Sequence, residues 1–515
     1  MTSDKLEKSS RTYSAKKRAA SDGKENREAE RIEKELRDRI AVDFGEPAIH
    51  KRGENGESLG ILKVNAPFFS QLFAAKHDVL FEQEEDRLYS YNSERGLWQE
   101  KLWEENLVDT TKFMLSEGSR QGCSGLLGKR GIGLDKEIQA YLKGIVGKRG
   151  VFRKDPYAVE RFIHFRNGVY VIRNGKPEGF RPDFRKEDYS RNQIPVDYKP
   201  GADCPRLIEE LLLPGLPAET AEEDIALLFR FLGLCFLGVN LPQKILMLDG
   251  AAGTGKSTLA KLFGQLVGQE ENVAGLRTNL LGERFELSAF LGKTLLLAPD
   301  VKQKFLLTPG AEELKKLVGG DYLEAELKLG NRRVGFFGTF NVVITSNSQL
   351  RIKIEEDQDA WRRRLAVISF KPYTPAKKIP FFERLLFDQE GSGIVNRALQ
   401  GLHEVLESGG SMFMTPAQYQ RVDDLLERSE PLGEFLKDRV IKRDGFSLAK
   451  KRLRERFKDY CKERRWTLPT DRDIGSKLPE LMREIFGVSE CGNVPDPDSV
   501  VSQVAGYRGV DWSND

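Results

Sequence analysis

The stretch Gly250-x-x-x-x-Gly255-Lys256-Ser257 constrains this chain more than any other. The apolar run Lys244–Asp249 before it reads as a buried strand. The run after it, Ser257–Val267, places Leu259, Leu262, Phe263 and Leu266 on one helical face. Glycines between a strand and a helix let backbone N–H groups approach an anion with no Cβ in the way. Gly250, Ala251, Ala252, Gly253, Thr254, Gly255, Lys256, Ser257 and Thr258 are therefore expected to cradle the phosphates of a nucleotide. Lys256 would reach the β- and γ-phosphates and the Ser257 hydroxyl would bind Mg²⁺, which makes ATP and Mg²⁺ the expected cofactors.

Two later apolar strands end in polar tips. Thr294–Ala298 runs into Asp300, where a carboxylate serves Mg²⁺ or an attacking water. "FNVVITSNS" ends at Asn347, whose amide can orient that water. Arg362, Arg363 and Arg364 then precede another strand. They read either as a solvated charge run or as arginines acting on a neighbouring subunit's γ-phosphate.

With 515 residues the chain has room for roughly three domains. Charged residues make up 31% and the net charge is only +3, so charge matters by where it clusters. The five cysteines form no C-x-x-C pair, which argues against a disulfide framework or a zinc site. The four histidines are far apart, which disfavours a metal or nucleophile enzyme. No apolar run reaches the ~18 residues of a membrane span, and no signal peptide opens the chain. A cytoplasmic protein with no membrane partner is expected.

Residues 1–58 are too polar to build a core and are expected to be a disordered charged tail, with at most a short helix near Glu28–Ile40. Residues 59–205 are expected to form an α+β domain. "RLYSYNSERGLWQE" and "HFRNGVYVIRNGKPEGF" are hairpin signals, Ser119–Glu137 a glycine-rich loop, and Ile194–Pro205 a linker. Residues 206–429 alternate strands and helices as an α/β domain does. Residues 430–515 form a smaller basic module. In it Leu453, Phe457, Tyr460 and Cys461 share one helical face, a second helix holds Leu478 to Ile485, and a terminal strand follows. That pattern fits a winged helix, with Lys477 and Arg483 facing a DNA groove.

The order of these motifs resembles superfamily 3 helicases of the phage and plasmid primase-helicase type, related to the poxvirus primase-helicase. The resemblance is carried by the loop at Gly250–Ser257, Arg284-Phe285, "KKLVGGD" ending at Asp321, the strand ending at Asn347, Arg363-Arg364-Leu365 with Phe370, and "EGSGIVNRALQGL". It implies an α/β fold: an AAA+-like P-loop NTPase core, here with an α+β N-terminal domain and a C-terminal winged-helix domain. It also implies ATP hydrolysis, a homo-oligomeric ring, by expectation a hexamer, and 3′-to-5′ movement on single-stranded and forked DNA, with origin duplex as a further partner. Lys256, Asp300, Asn347, Arg363 and Arg364 would be catalytic. A hairpin bearing Lys328, Arg332 and Arg333 would project into the pore and track DNA phosphates.

The chain departs from that pattern in two ways. Where the family carries two acids after its second strand, this sequence has Pro299-Asp300, so either Asp300 serves alone or an acid such as Glu283 compensates. The polar stretch before Ile61 is also too short for a primase domain. Two other readings stay open: a nucleotide-switched origin-binding protein with weak translocation, and an AAA+ protein remodeller.

Overall fold

Helix α1 (Gly23–Phe44) takes up 22 residues of the stretch 1–58 expected to be a disordered tail. In the computed structural model the described residues are 23–120, 125–129, 131–153, 155–278, 280–281, 283, 285–301, 310–326, 333–347, 358–373, 379–429, 431–463, 468, 470–495 and 503–513. The expectation for residues 1–22 lies outside them. For α1 the expectation is corrected. Leu36 and Ile40 recur at one helical face and are buried against Ile61, Val64, Phe68 and Phe69. The helix is too polar to stand alone, yet it seals a core built by the residues after it.

That core begins with the hairpin β1 (Ala48–Arg52) and β2 (Ser58–Val64) and with α2 (Ala66–Lys76), whose first turn is capped by the Asn65 side chain. β3 (Val79–Glu82), β4 (Arg87–Asn92) and β5 (Leu97–Lys101) form an antiparallel meander, so the first hairpin signal is met. α3 (Trp103–Arg120) and α4 (Ile132–Val146) follow. The latter takes up the last third of the expected glycine-rich loop, because Ile138 and Leu142 bury one face of it. Glu117 of α3 is 1% exposed at its side chain and accepts from Lys76 at 2.6 Å and Arg37 at 2.8 Å, which ties α1, α2 and α3 together.

After the short strand β6 (Gly147–Lys148), a second meander forms from β7 (Glu160–Phe165), β8 (Gly168–Arg173) and β9 (Lys176–Arg181). Its second turn has Asn174 at φ 53° and Gly175 at φ 71°, the two left-handed residues that a tight hairpin of this hand requires. The expected linker at 194–205 is instead packed. Ile194 bridges to Phe165, and Ile194, Val196 and Cys204 are buried in the same core as the sheet described next. Hydrophobic packing therefore runs across the expected boundary at 205/206.

Helix α5 (Ala221–Leu237) leads into a five-stranded parallel sheet. In chain order come β10 (Ile245–Gly250), helix α6 (Lys256–Val267), β11 (Val273–Gly275), β12 (Leu295–Ala298), helix α7 (Gly310–Val318), the antiparallel hairpin β13 (Tyr322–Glu326) and β14 (Arg333–Phe337), β15 (Asn341–Thr345), helix α8 (Gln358–Arg364) and β16 (Leu365–Phe370). The sheet order is β11-β12-β15-β10-β16. Its central strands are apolar and buried along almost their whole length, as a parallel sheet covered by helices on both faces demands. Helix α9 (Phe382–Glu407) covers α5, with Gly233 and Gly401 at the closest approach: a Cβ on Gly233 would stand 2.3 Å from the Ala398 carbonyl oxygen. Helix α10 (Pro416–Arg428) is pinned to α5 through buried Asp224, which accepts from Gln418 and Arg421.

The last module has its own core around Phe435, Phe457, Tyr460, Met482 and Tyr507. It contains α11 (Pro431–Arg439), β17 (Val440–Ala449), α12 (Lys450–Glu463), α13 (Asp471–Phe486), β18 (Glu490–Val494) and β19 (Val504–Trp512), with antiparallel sheet order β17-β19-β18. The sequence reading placed its two main helices and last strand but not α11, β17 or β18. Among the described residues no helix is long and apolar enough to cross a membrane.

Burial alone would raise the Glu117 carboxyl, but hydrogen bonds from Lys76 and Arg37 outweigh it and hold the group below its ordinary value. A carboxyl depressed in the folded state contributes stability above its unfolded value, and that contribution is lost as pH falls through the folded value. Hydrogen exchange should therefore show α1 loosening in the acid range, below pH ~4. Glu117→Gln should weaken α1 at neutral pH by about 2 kcal/mol. Protection of α1 amides that is unchanged in the variant would refute the role of this network.

Candidate phosphate-binding site

The site is built where three parallel strands end together. Leu248 of β10 pairs with Thr345 of β15, and Ala298 of β12 pairs with Ile344. This register puts the glycine-rich loop, Asp300 and Asn347 at one edge of the sheet, outside the carboxyl ends of the strands, where ligands of open α/β sheets bind. Gly250 leaves its strand at φ 136°, and a Cβ there would lie 2.3 Å from the Phe370 carbonyl oxygen. Gly253 and Gly255 are left-handed at φ 82° and 97°, which turns the chain into α6 with its first N–H groups facing the loop.

Lys256 is 3% exposed. Its ammonium donates to the Gly250 carbonyl at 2.9 Å, the Ala251 carbonyl at 2.6 Å and the Thr254 hydroxyl at 3.1 Å. Burial lowers its pKa, and the charges of Asp249 and Asp300 oppose that shift. Asp249, one position before the first glycine, is thus a second acid felt by this lysine. The sequence reading passed over it, although its place at the strand tip was a signal. Ala251, Ala252, Gly253 and Ser257 are exposed along the loop, and Thr258 lies behind it in α6.

Asp300 and Asn347 meet directly. The Asn347 amide nitrogen donates to Asp300 Oδ1 at 2.8 Å, and the Asp300 backbone N–H donates to the Thr345 hydroxyl at 3.1 Å. Asp300 itself is left-handed at φ 50°, a conformation unusual for a residue with a side chain and one that clusters at functional positions. Glu283 lies exposed in the turn after β11, and Arg284 lies outside the described residues.

The arginines stand elsewhere. Leu365 of β16 pairs with Ile245, whereas Gly250 pairs with Phe370. Arg362–Arg364 therefore sit at the opposite end of the same strand pair, about 17 Å along it from the loop. They are not equivalent. Arg362 is clamped onto Asp423 by two bonds, 2.6 and 2.9 Å, and lies over the Tyr419 ring. Arg364 donates to the Ala360 carbonyl at 3.3 Å and lies against the turn of "KKLVGGD": a Cβ on Gly319 would come within 3.3 Å of its guanidinium. Arg363 is exposed and pairs with no acid among the described residues. Lys315 of the same motif is 8% exposed and lies over the Trp361 ring, so "KKLVGGD" braces the arginine helix, a link not visible in sequence.

Of the expected DNA contacts, Lys328 and Arg332 lie outside the described residues. Arg333 lies on the hairpin, paired with Glu324 and Glu326, both at 3.3 Å. Lys477 and Arg483 lie on α13. Six positions on a helix turn through roughly 600°, so their side chains leave the axis about 120° apart.

Two family models match parts of the chain. One, described as a family of unknown function (DUF5906), spans residues 248–364, from the phosphate strand through all three arginines. The other, described as D5 N terminal like, spans residues 68–213. That match reaches past the expected boundary at 205/206, as the packing does. No curated protein matches. Among solved structures, the apo structure of NrS-1 C terminal region is 14% identical, covers 85% of this chain and 98% of its own, and overlaps with a TM-score of 0.47. The A form apo structure of NrS-1 C terminal region-CTR is 13% identical, covers 86% and 99%, and gives 0.46. Overlap this loose establishes no shared fold.

Gly250→Ala tests the loop's geometry without reference to any ligand. The added methyl meets the Phe370 carbonyl and a backbone conformation that alanine resists, so urea unfolding should show a loss of about 2 kcal/mol or more. A variant as stable as the parent would mean that the loop leaves the strand differently.

Proposed function

We propose that the chain is an ATP-dependent DNA helicase and replication initiator of a phage, plasmid or other mobile element. It would act as a homo-oligomeric ring, by expectation a hexamer, moving 3′ to 5′ on single-stranded DNA. The observation that carries this reading is the split site: loop, Lys256, Asp300 and Asn347 at one end of β10 and β16, and Arg363 at the other. A single copy cannot close that gap, but a neighbour in a ring can present its Arg363 to the loop. The D5 N terminal-like match supports a phage primase-helicase relation, without a primase segment in the residues at hand.

The residues fit Mg²⁺-ATP. The left-handed glycines turn the loop tightly into α6, and Ser257 and Asp300 are exposed and offer oxygens for the cation, which would neutralise phosphate charge. Lys256 would exchange its loop carbonyls for phosphate oxygens. Asn347, with its nitrogen held by Asp300, keeps its oxygen for a hydrogen of the attacking water. The core would be an AAA+-like P-loop NTPase. The terminal module, with three helices and a three-stranded sheet, would be a winged-helix domain for origin duplex, and the β13–β14 hairpin would track single-stranded and forked DNA. A nucleotide-switched origin-binding protein with weak translocation is the second reading, favoured by Pro299 in place of the second acid.

Lys256→Ala should abolish ATP hydrolysis while the fold persists; near-normal turnover in that variant would remove the loop from the chemistry. Among the arginines, Arg363→Ala should lose on the order of 10³-fold in turnover yet bind ATP normally. Arg362→Ala, whose partner is Asp423, should lose less than tenfold. Mixing Arg363→Ala with Lys256→Ala subunits should restore activity, because some interfaces then pair an intact loop with an intact arginine. If mixing restores nothing while assemblies form and exchange subunits, the shared site is wrong.

A further inference from the structure

Far from the phosphate loop, β8, the 198–203 loop and helix α9 enclose a cleft of about 480 Å³, a volume ordinary for a small-ligand site. Its residues on α9 are Asn396, Arg397, Leu399, Gln400 and His403, roughly 20–30 Å along the helix from Phe382. The proposed function gives none of them a role.

The floor of the cleft is aromatic and fixed. Tyr170 is 6% exposed, stacks on His403 and shares a 3.0 Å hydrogen bond with its Nε2. Tyr198, half-buried, packs edge-on against Tyr170. Burial holds the His403 imidazole below its ordinary pKa and raises that of Tyr170, so both are neutral at pH 7. The cleft therefore offers stacking faces and neutral hydrogen-bonding groups. The Asn396 amide nitrogen holds the Lys199 and Ala202 carbonyls at 2.8 and 2.9 Å, which leaves its oxygen toward the cleft. The Gln400 side chain is exposed at the wall. At the mouth, Arg397 donates Nε to Asp203 at 3.3 Å, and Lys199, between the lining residues Tyr198 and Pro200, is exposed on the loop.

Half-exposed rings at Tyr198 and His403, amide edges, a cation at the mouth and a second on its loop are the chemistry of an unstacked nucleotide: a base against a ring, its edge on amides, its phosphate near the cations. We propose that this cleft binds one unpaired base of single-stranded DNA, away from both the hairpin and the terminal module. The choice of a strand over a free nucleotide rests on the DNA reading above, whereas the base-binding chemistry does not.

The test uses the full chain, without ATP, and an oligothymidylate carrying a photoreactive iodouracil. Crosslinks should map to the peptides holding Tyr198 and His403. Gln400→Ala combined with Lys199→Glu, both exposed positions, should weaken binding of a dye-labelled oligothymidylate about tenfold, as loss of one stacked base does, and remove those crosslinks. Unchanged melting of that variant shows that the fold is intact. Binding of the strand without crosslinks in the cleft, or with unchanged affinity in the variant, overturns the proposal but leaves the helicase reading standing. Failure of the parent to bind any single strand overturns both. Competition by free thymidine monophosphate, at the same concentration as strand nucleotides, overturns the strand and assigns the cleft to a free nucleotide.

Discussion

The parallel pairing of β10 with β16 sets the terms for everything else in the molecule. Its register, Ile245 on Leu365 and Gly250 on Phe370, holds the glycine-rich loop at one end and the arginine helix at the other. Both strands are packed under helices on both faces, so a slip of one residue would set every buried side chain against the wrong neighbour, and the spacing is fixed. Lys256 and Arg363 are thus kept apart within a chain. Lys244 marks the join: its ammonium donates to the Leu365 carbonyl at 3.4 Å, and burial, with help from Arg362, lowers its pKa to about 8.

Around that pair the chain spends several side chains on bracing. Asp423 and Tyr419 of α10 hold Arg362, and "KKLVGGD" holds Arg364. Glu390 of α9, 6% exposed, accepts from the Arg206 and Leu207 N–H groups at 2.8 and 2.9 Å, at the start of a π-helical turn that brings Leu211 against Gly255. Gly393 admits the Asp203 backbone where a Cβ would stand 2.1 Å from its carbonyl oxygen. "EGSGIVN" is therefore a clamp on the 196–207 segment, close to the end of the D5 N terminal-like match.

What could be read from sequence was what is written locally. The strand-loop-helix at Gly250, the polar tips at Asp300 and Asn347, and the Asn-Gly turn at 174–175 each sit within a few residues of their own cause. A short charged helix near Glu28–Ile40 was legible, but its length and packing were not, because its buried residues Leu36 and Ile40 matter only once Phe68 and Phe69 are beside them. The 194–205 segment resembled a linker because its prolines and glycine were legible and its partners in α9, nearly two hundred residues later, were not. The three arginines could not be ranked for the same reason: Asp423 lies 61 residues on from Arg362. Asp249 was overlooked beside the stronger glycine signal.

A site divided between copies makes one demand that a self-contained site does not: activity must depend on assembly. ATP turnover per chain, measured across a dilution series while mass photometry reports the oligomeric state, tests this most directly. Turnover per chain should rise with concentration, reach a plateau once assemblies dominate, and vanish in the monomer. A monomeric chain that hydrolyses ATP as fast as the assembly would contradict the account at its centre.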